Sequence, residues 1–326
     1  MDFFTFIGLL TFIYFVVYIV VLLLVDCDLA LAWSEKFGKS VDSLRGKVVW
    51  VTGASSGIGE HMAYALARGG VKLVLSARRV GELERVKAKC LEVGSHLTEN
   101  DVLVLPFDIT AYATHQESFD KVIKHFGTLD ILVNNAGRSQ RAMWEDIETE
   151  VDREMFEVNV FGIVSLSRIA VRYFLKKGEG HIAVTSSLAG VLGVPFSGTY
   201  TGTKHAIHGF FNSLWVEKLG CNIHRTLLCP GPVHTNFLAE SFTDKAGVKF
   251  GQQVSSTDRR LSSERCGYLS AVALANRLPE VWIALFPLIP LTYLVYFPNI
   301  AKIVMSYIGP KQFLKLRDTK DTLKTK

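Results

Sequence analysis

Residues 47–59 read KVVWVTGASSGIG, and this stretch decides the fold. Residues 47–52 form an apolar, β-branched run without alternation, the pattern of a strand covered on both faces. A turn with glycines at 53, 57 and 59 follows at once, and residues 60–68 (EHMAYALAR) have helical composition. Strand, glycine-rich turn and helix in that order make a phosphate-binding unit. Gly53 permits the tight turn. Gly57 and Gly59 let backbone and helix approach a pyrophosphate at the helix N-terminus, where free N–H groups and the dipole favour negative charge. A glycine-rich run alone is weak evidence; its place between strand and helix gives it weight. Thr52, Gly53, Ser55, Ser56, Gly57, Ile58 and Gly59 are therefore the expected dinucleotide contacts.

Further strands are expected at 71–76 (VKLVLS), 101–107 (DVLVLPF), 130–135 (DILVNN), 181–186 (HIAVTS) and 222–228 (NIHRTLL). Amphipathic stretches of helix length separate them. Repeated β-α-β units predict an α/β protein with a doubly wound parallel sheet, a Rossmann fold, in one catalytic domain over 46–280. Ligands bind such a sheet beyond the carboxyl ends of its strands. The second expected strand ends in SARR, residues 76–79, with no acidic residue to take a ribose 2′-hydroxyl. Arg78, with Arg79 as second candidate, suits the 2′-phosphate of NADP instead, so NADP(H) is the expected cofactor. Solvated surface arginines are the plain alternative. Asp108, placed at the end of the third expected strand, suits adenine or a helix N-cap.

The chain has 326 residues, 49% hydrophobic and 21% charged, with a net charge of +5. That excludes a disordered chain and lacks the dense basic stripe of a nucleic-acid binder. Part of the charge sits in a tail, 311–326, with six Lys/Arg against two Asp. Five cysteines without a C-x-x-C pair predict neither a disulfide framework nor a metal site.

Residues 3–25 carry no charged side chain. As a helix they span roughly 35 Å, more than a ~30 Å hydrocarbon core. Residues 1–27 are read as a transmembrane anchor and 28–45 as a linker. A cleaved signal peptide competes, with Ala30-Leu31-Ala32 as a small-residue site, but a basic leader is missing and the apolar run is long. Lys36, Lys39, Arg45 and Lys47 follow the anchor, which favours a cytoplasmic catalytic domain. Residues 281–326 form a hydrophobic extension with a basic tail. Its start is a candidate final strand. Pro287, Pro290, Pro298 and Lys302 argue for a surface resting on the membrane, with a spanning segment as second choice. The tail would meet anionic headgroups or simply be solvated.

The motifs now on the page resemble the short-chain dehydrogenases/reductases over residues 46–280. The resemblance rests on the glycine run at 52–59, Asn134-Asn135-Ala136-Gly137, Asn159, Ser187, Tyr200-x-x-x-Lys204, and Pro230-Gly231-Pro232-Val233 with Thr235. It implies an NADP(H)-dependent oxidoreductase with Tyr200, Lys204, Ser187 and Asn159 as the catalytic set. Asn135, Ala136 and Gly137 would shape the adenosine side of the cofactor pocket. Pro230, Gly231, Val233 and Thr235 would line the nicotinamide. Tyr200 and Lys204 would also touch the cofactor, and Asn159 would hold a water linking Lys204 to solvent. The anchor is similar to that of the 11β-hydroxysteroid dehydrogenases, which implies an endoplasmic reticulum membrane and a small lipophilic carbonyl or alcohol, a steroid or retinoid, as substrate. A homodimer is left open. In the family the loop after Thr235 covers the substrate; here it holds Phe237, Leu238, Phe242, Val248 and Phe250.

Tyr200 and Lys204 are four apart and share a helix face. A tyrosine titrates near ~10, too high for a base at neutral pH. An adjacent ammonium stabilises phenolate and brings that value down. Each residue alone has an ordinary structural explanation, a snorkelling lysine or a strand-end serine. Three other classes stay open: an NAD-preferring alcohol dehydrogenase, a catalytically silent membrane-bound scaffold that keeps the cofactor, and a tethered NADPH sensor.

Overall fold

The computed structural model describes residues 2–316. Residues 317–326, most of the basic tail, lie outside the described residues. The chain begins with α1 (Phe3–Leu24), capped by Asp2, whose carboxylate accepts from Thr5 N at 2.9 Å. Its apolar side chains face outward on nearly every side, which makes it a candidate membrane anchor. Residues 28–45 are more ordered than a linker. They hold α2 (Leu29–Phe37) and a short 3₁₀ turn, Val41–Leu44. Asp28 caps α2 through Leu31 N and also accepts from Trp282 N. Arg265 binds both carboxylate oxygens of Asp26 and those of Glu35. The exit of α1 is thus stitched to the body of the protein.

The body alternates strands and helices: β1 (Val48–Thr52), α3 (Gly57–Arg68), β2 (Lys72–Ser76), α4 (Val80–Val93), β3 (Val102–Val104), α5 (His115–Phe126) and β4 (Ile131–Asn134). Then come α6 (Thr149–Phe156), α7 (Gly162–Lys177), β5 (Gly180–Thr185), α8 (Gly198–Glu217) and β6 (Ile223–Pro230). A two-residue pair, β7 (Val233–His234) with β8 (Leu261–Ser262), closes the loop before α9 (Ser263–Ala275) and β9 (Glu280–Ile283). Seven parallel strands form one sheet in the order β3-β2-β1-β4-β5-β6-β9. The expected doubly wound sheet is present, and 281–283 supply its last strand.

Alternate residues of each strand feed two apolar layers. Val49, Val51, Leu73 and Leu75 pack with α3 and α9; Trp50, Val74, Leu132 and Ile182 pack with α5 and α7. Both faces are covered, which explains the unbroken apolar runs. At Gly267 the helices α9 and α3 touch so closely that a Cβ would lie 2.6 Å from Met62 N. Strand order reverses between β1 and β4, and the crevice opens at their carboxyl ends.

The third strand is shorter than expected. Leu105 N and Phe107 N still bond to Leu75 O and Ala77 O, and Pro106, whose nitrogen faces away from β2 on this edge strand, costs the pairing no bond. Asp108 lies just past this pairing, in a loop turned by its own carboxylate on Thr110 N, not at a strand end.

After β9 the chain forms α10 (Leu288–Tyr293), a 3₁₀ turn (Leu294–Tyr296) and α11 (Pro298–Lys315), broken at Gly309. Among the described residues two helical stretches are long and apolar enough to cross a membrane, Phe3–Val21 and Thr149–Lys177. The second is mostly buried beside the sheet. The spanning alternative for the C-terminal extension therefore has no helix to carry it among the described residues. Tyr18 of α1 meets Tyr293 of α10, ring centres 6.4 Å apart.

Candidate active site

Thr52 ends β1 and ties it to the next strand across the crevice. Its hydroxyl oxygen accepts from Asn135 N at 3.0 Å and Ala136 N at 3.2 Å. Asn135 Nδ2 donates back to the carbonyls of Thr52 and Gly53, each at 3.2 Å, and its Oδ1 accepts from Thr185 Oγ1 at 3.1 Å. Three strand ends are locked together this way. Gly53 has φ +65°, and a Cβ on it would lie 2.8 Å from Ala136 Cα, so only glycine fits. No side chain caps α3, whose first amides remain for a ligand. This geometry fits a dinucleotide pyrophosphate.

Arg79 reaches over the glycine turn, Nη2 lying 3.2 Å from both Ser55 Oγ and Ser56 Oγ. Arg78 is 62% exposed and 3.8 Å from Asp108 Oδ2, a pair of little stabilising value. Asp108 Oδ1 accepts from Thr110 N and Oγ1, each at 2.9 Å. That is an Asx turn in the loop.

Ser187 lies just past β5. Its Oγ donates to Pro230 O at 3.2 Å and accepts from Ala189 N at 3.1 Å. Tyr200 and Lys204 project from the first turns of α8, with Lys204 Nζ 5.6 Å from the centre of the Tyr200 ring. Nζ donates to Thr185 O at 2.8 Å. Lys204 is only 3% exposed, and burial pushes its pKa down to about 8. Phe237 meets the Tyr200 ring edge-on at 6.0 Å.

Asn159 sits in a π-helical turn, Glu157–Phe161, inserted between α6 and α7. Such turns widen a helix and often mark sites. Its side chain is fully engaged. Oδ1 accepts from Arg138 N at 2.8 Å, while Nδ2 donates to Arg138 O at 2.9 Å and Thr203 Oγ1 at 3.1 Å. It clamps the Gly137–Arg138 turn to α8.

One cavity of about 830 Å³ joins these parts. Its polar end is walled by Thr52, Gly53, Ser55, Ser56, Gly57 and Ile58, with Arg78, Arg79 and Asp108 at the rim. Asn135, Ala136 and Gly137 form the floor, beside Ser187, Tyr200 and Lys204; Pro230, Gly231, Val233 and Thr235 face them. Gly59 and Asn159 stand behind the wall. Gly59 packs on Asn135 and the Gly53 carbonyl, as Asn159 packs on Arg138. The other end is apolar: Leu192, Val194, Phe237, Leu238 and Phe242. Val248 and Phe250 lie outside it.

Sequence patterns did not point to several cavity residues. Leu288 and Phe313 arrive from α10 and α11, and no local pattern marks them. Arg141 is buried against the same space; its Nη1 donates to Ser197 Oγ at 2.6 Å and Gln140 O at 2.9 Å. It was one arginine among many in a loop.

Residues 47–246 match a family model described as short chain dehydrogenase. The chain is 42% identical over 290 residues to human dehydrogenase/reductase SDR family member 7, covering 88% of this chain and 85% of that protein. It superposes with a TM-score of 0.63 and 27% identity on an alcohol dehydrogenase from the archaeon Thermococcus sibiricus, solved with 5-hydroxy-NADP; 73% of this chain and 95% of that one align. A 3-ketoacyl-(acyl-carrier-protein) reductase from Brucella melitensis, solved with NADH, gives a TM-score of 0.60 at 27% identity, covering 71% and 91%.

Proposed function

The chain belongs to the short chain dehydrogenase family, and from that membership we propose an NADP(H)-dependent oxidoreductase that interconverts a carbonyl and an alcohol on a lipophilic substrate. The observation that carries this is the buried Lys204 ammonium beside the Tyr200 ring, in the cavity that also holds Ser187. A cation out of water is costly unless it does electrostatic work. Here it would stabilise a phenolate, so that Tyr200 gives and takes a proton near neutral pH.

The bound nicotinamide cofactor supplies or accepts the hydride. In reduction, Tyr200 Oη gives its proton to the carbonyl oxygen, and Ser187 Oγ turns from Pro230 O to donate to that oxygen. In oxidation, the Tyr200 phenolate takes the hydroxyl proton. Lys204 spends one N–H on Thr185 and keeps two donors for ribose hydroxyls. Asn159 serves from behind by holding the Gly137–Arg138 turn.

The choice of NADP over NAD rests on Arg78 and Arg79 at the rim and the lack of an acid after β2. Relatives of this fold take either cofactor, so the fold alone does not choose. A lipophilic substrate suits the Phe237, Leu238 and Phe242 end. In our reading α1 spans the endoplasmic reticulum membrane, with the domain on the basic, cytoplasmic side. The exposed Ile300, Ile303 and Tyr307 of α11 rest on the bilayer. Protease protection in sealed microsomes tests the side: a protected domain would place it in the lumen.

The deciding experiment follows NADPH oxidation with retinal, a steroid ketone and an aromatic diketone in detergent, against hydrophilic sugars. Turnover confined to the sugars would overturn the lipophilic substrate. Cofactor binding without any turnover would favour a silent scaffold or sensor.

A further inference from the structure

One turn beyond Lys204, α8 presents a second polar side chain, His208, to the same strand ends. Its side chain is 13% exposed. Nε2 lies 3.0 Å from Ser186 Oγ, just past β5, and 3.6 Å from Cys229 Sγ on β6. Nδ1 faces Glu280 Oε2 on β9 at 3.8 Å. The other Glu280 oxygen accepts from Trp282 Nε1 at 2.8 Å, which fixes the carboxylate. Burial holds the imidazole below its ordinary pKa although Glu280 pulls it up, so the ring is neutral at neutral pH. A carboxylate facing Nδ1 favours the proton on that nitrogen, leaving Nε2 to accept from the Ser186 hydroxyl. Gly190 seals the arrangement: a Cβ there would sit 2.6 Å from Ser186 Oγ and 2.8 Å from His208 Nε2.

Residues 185–187 are three consecutive contacts of the site. Thr185 O takes Lys204 Nζ, Ser186 Oγ meets His208, and Ser187 Oγ points into the cavity side of the β5 turn. Lys204 and His208 therefore hold the strand end at two points, one helical turn apart. Ser187 must be placed against Tyr200 to within fractions of an ångström for one oxygen to receive both groups.

Resting on the assignment of Ser187, Tyr200 and Lys204 above, we propose that His208 is a positioning residue. It brackets Ser186 between α8 and β9, and through Ser186 it fixes Ser187 relative to the Tyr200–Lys204 pair. It touches neither substrate nor cofactor. No bond to a reacting atom is made or broken through it. Its work is to remove the rotational freedom of the turn that carries Ser187.

The test compares H208A, H208Q and S186A with wild type and Y200F, using NADPH and the retinal, steroid ketone and diketone panel. Three readouts are taken: kcat, the NADPH dissociation constant by fluorescence, and Tm. His208→Ala is expected to lower kcat by about tenfold or more, the scale of a sub-ångström misplacement, with NADPH binding within about twofold. His208→Gln, which keeps a hydrogen-bonding end, should recover most of kcat. Ser186→Ala, a smaller change that avoids a cavity at His208, should lose kcat similarly, and the double variant should lose no more than either alone. Wild-type kcat in H208A overturns the proposal. So does recovery of Tm without kcat in H208Q, which would make His208 structural only, and so do additive losses in the double variant. An active Y200F, or a wild type that oxidises NADPH with none of the panel, would instead overturn the underlying function.

Discussion

The two ends of the cavity are built differently. The end we assign to the nucleotide comes from contiguous strand-turn-helix segments: 52–59, 76–79 and 134–137. The apolar end we assign to the substrate is assembled from Leu192 and Val194 after β5, the loop after β7, and two helices at the far end of the chain. A nucleotide has fixed geometry, so the chain meets it with backbone turns that few sequences can make. A variable substrate is met by side chains from wherever packing brings them. Perturbing one end should therefore leave the other largely untouched.

The sharpest break falls where the ends join. Tyr200→Phe should lower kcat about 10³-fold, the range of general acid–base catalysis, while NADPH binds normally. Near-normal turnover would remove Tyr200 from its role. Lys204 separates stability from function. Its pKa falls from 10.5 unfolded to about 8 folded, so the fold disfavours the charged form. The penalty is full below pH 8 and disappears above 10.5. Lys204→Met should stabilise the cofactor-free protein at pH 7 by roughly 1–3 kcal/mol, less the lost Thr185 bond, while abolishing turnover. Urea unfolding at pH 7 checks the sign, and a lower midpoint would contradict it. The wild type should gain on the Lys204→Met variant as pH rises from about 8 to 10.5.

At the nucleotide end, Arg79→Ala should weaken NADPH about 10–100-fold and NADH far less, the worth of charge-assisted hydrogen bonds. Arg78→Glu should move preference toward NADH. Equal losses for both cofactors would deny the arginines a 2′-phosphate role. At the substrate end, Phe313→Ala should raise KM for a lipophilic carbonyl by roughly 5–10-fold, the value of a partly lost apolar contact, with NADPH affinity unchanged. A changed NADPH affinity would show that the two ends are not independent.

This difference also decides what was legible. The sheet, the glycine turn and the Tyr200–Lys204 spacing depend on neighbours a few residues away, and periodicity exposes them. Asp108 leaves the strand because its own carboxylate turns the chain by accepting from Thr110 N, which the apolar run before it does not announce. Residues 28–45 looked like a linker because α2 is nine residues long and buries Leu31 and little else, too short a stripe to read. Phe313 and His208 gain their roles only from packing between distant segments. His208 lies 72 residues from Glu280 in sequence, and nothing local announces their meeting.

The clamp of Arg265 on Asp26 and Glu35 has a consequence for search. On the proposed reading, with α1 in a bilayer, this clamp would restrict how the domain swivels on its stem and hold its cavity near one depth. Encounter would then depend on how many substrate molecules share the leaflet area, not on how many are dissolved in the surrounding volume. A swivelling domain would spend most of its time facing water, where a lipid-soluble ketone is scarce. Loosening Arg265 would thus slow turnover on vesicles far more than in detergent.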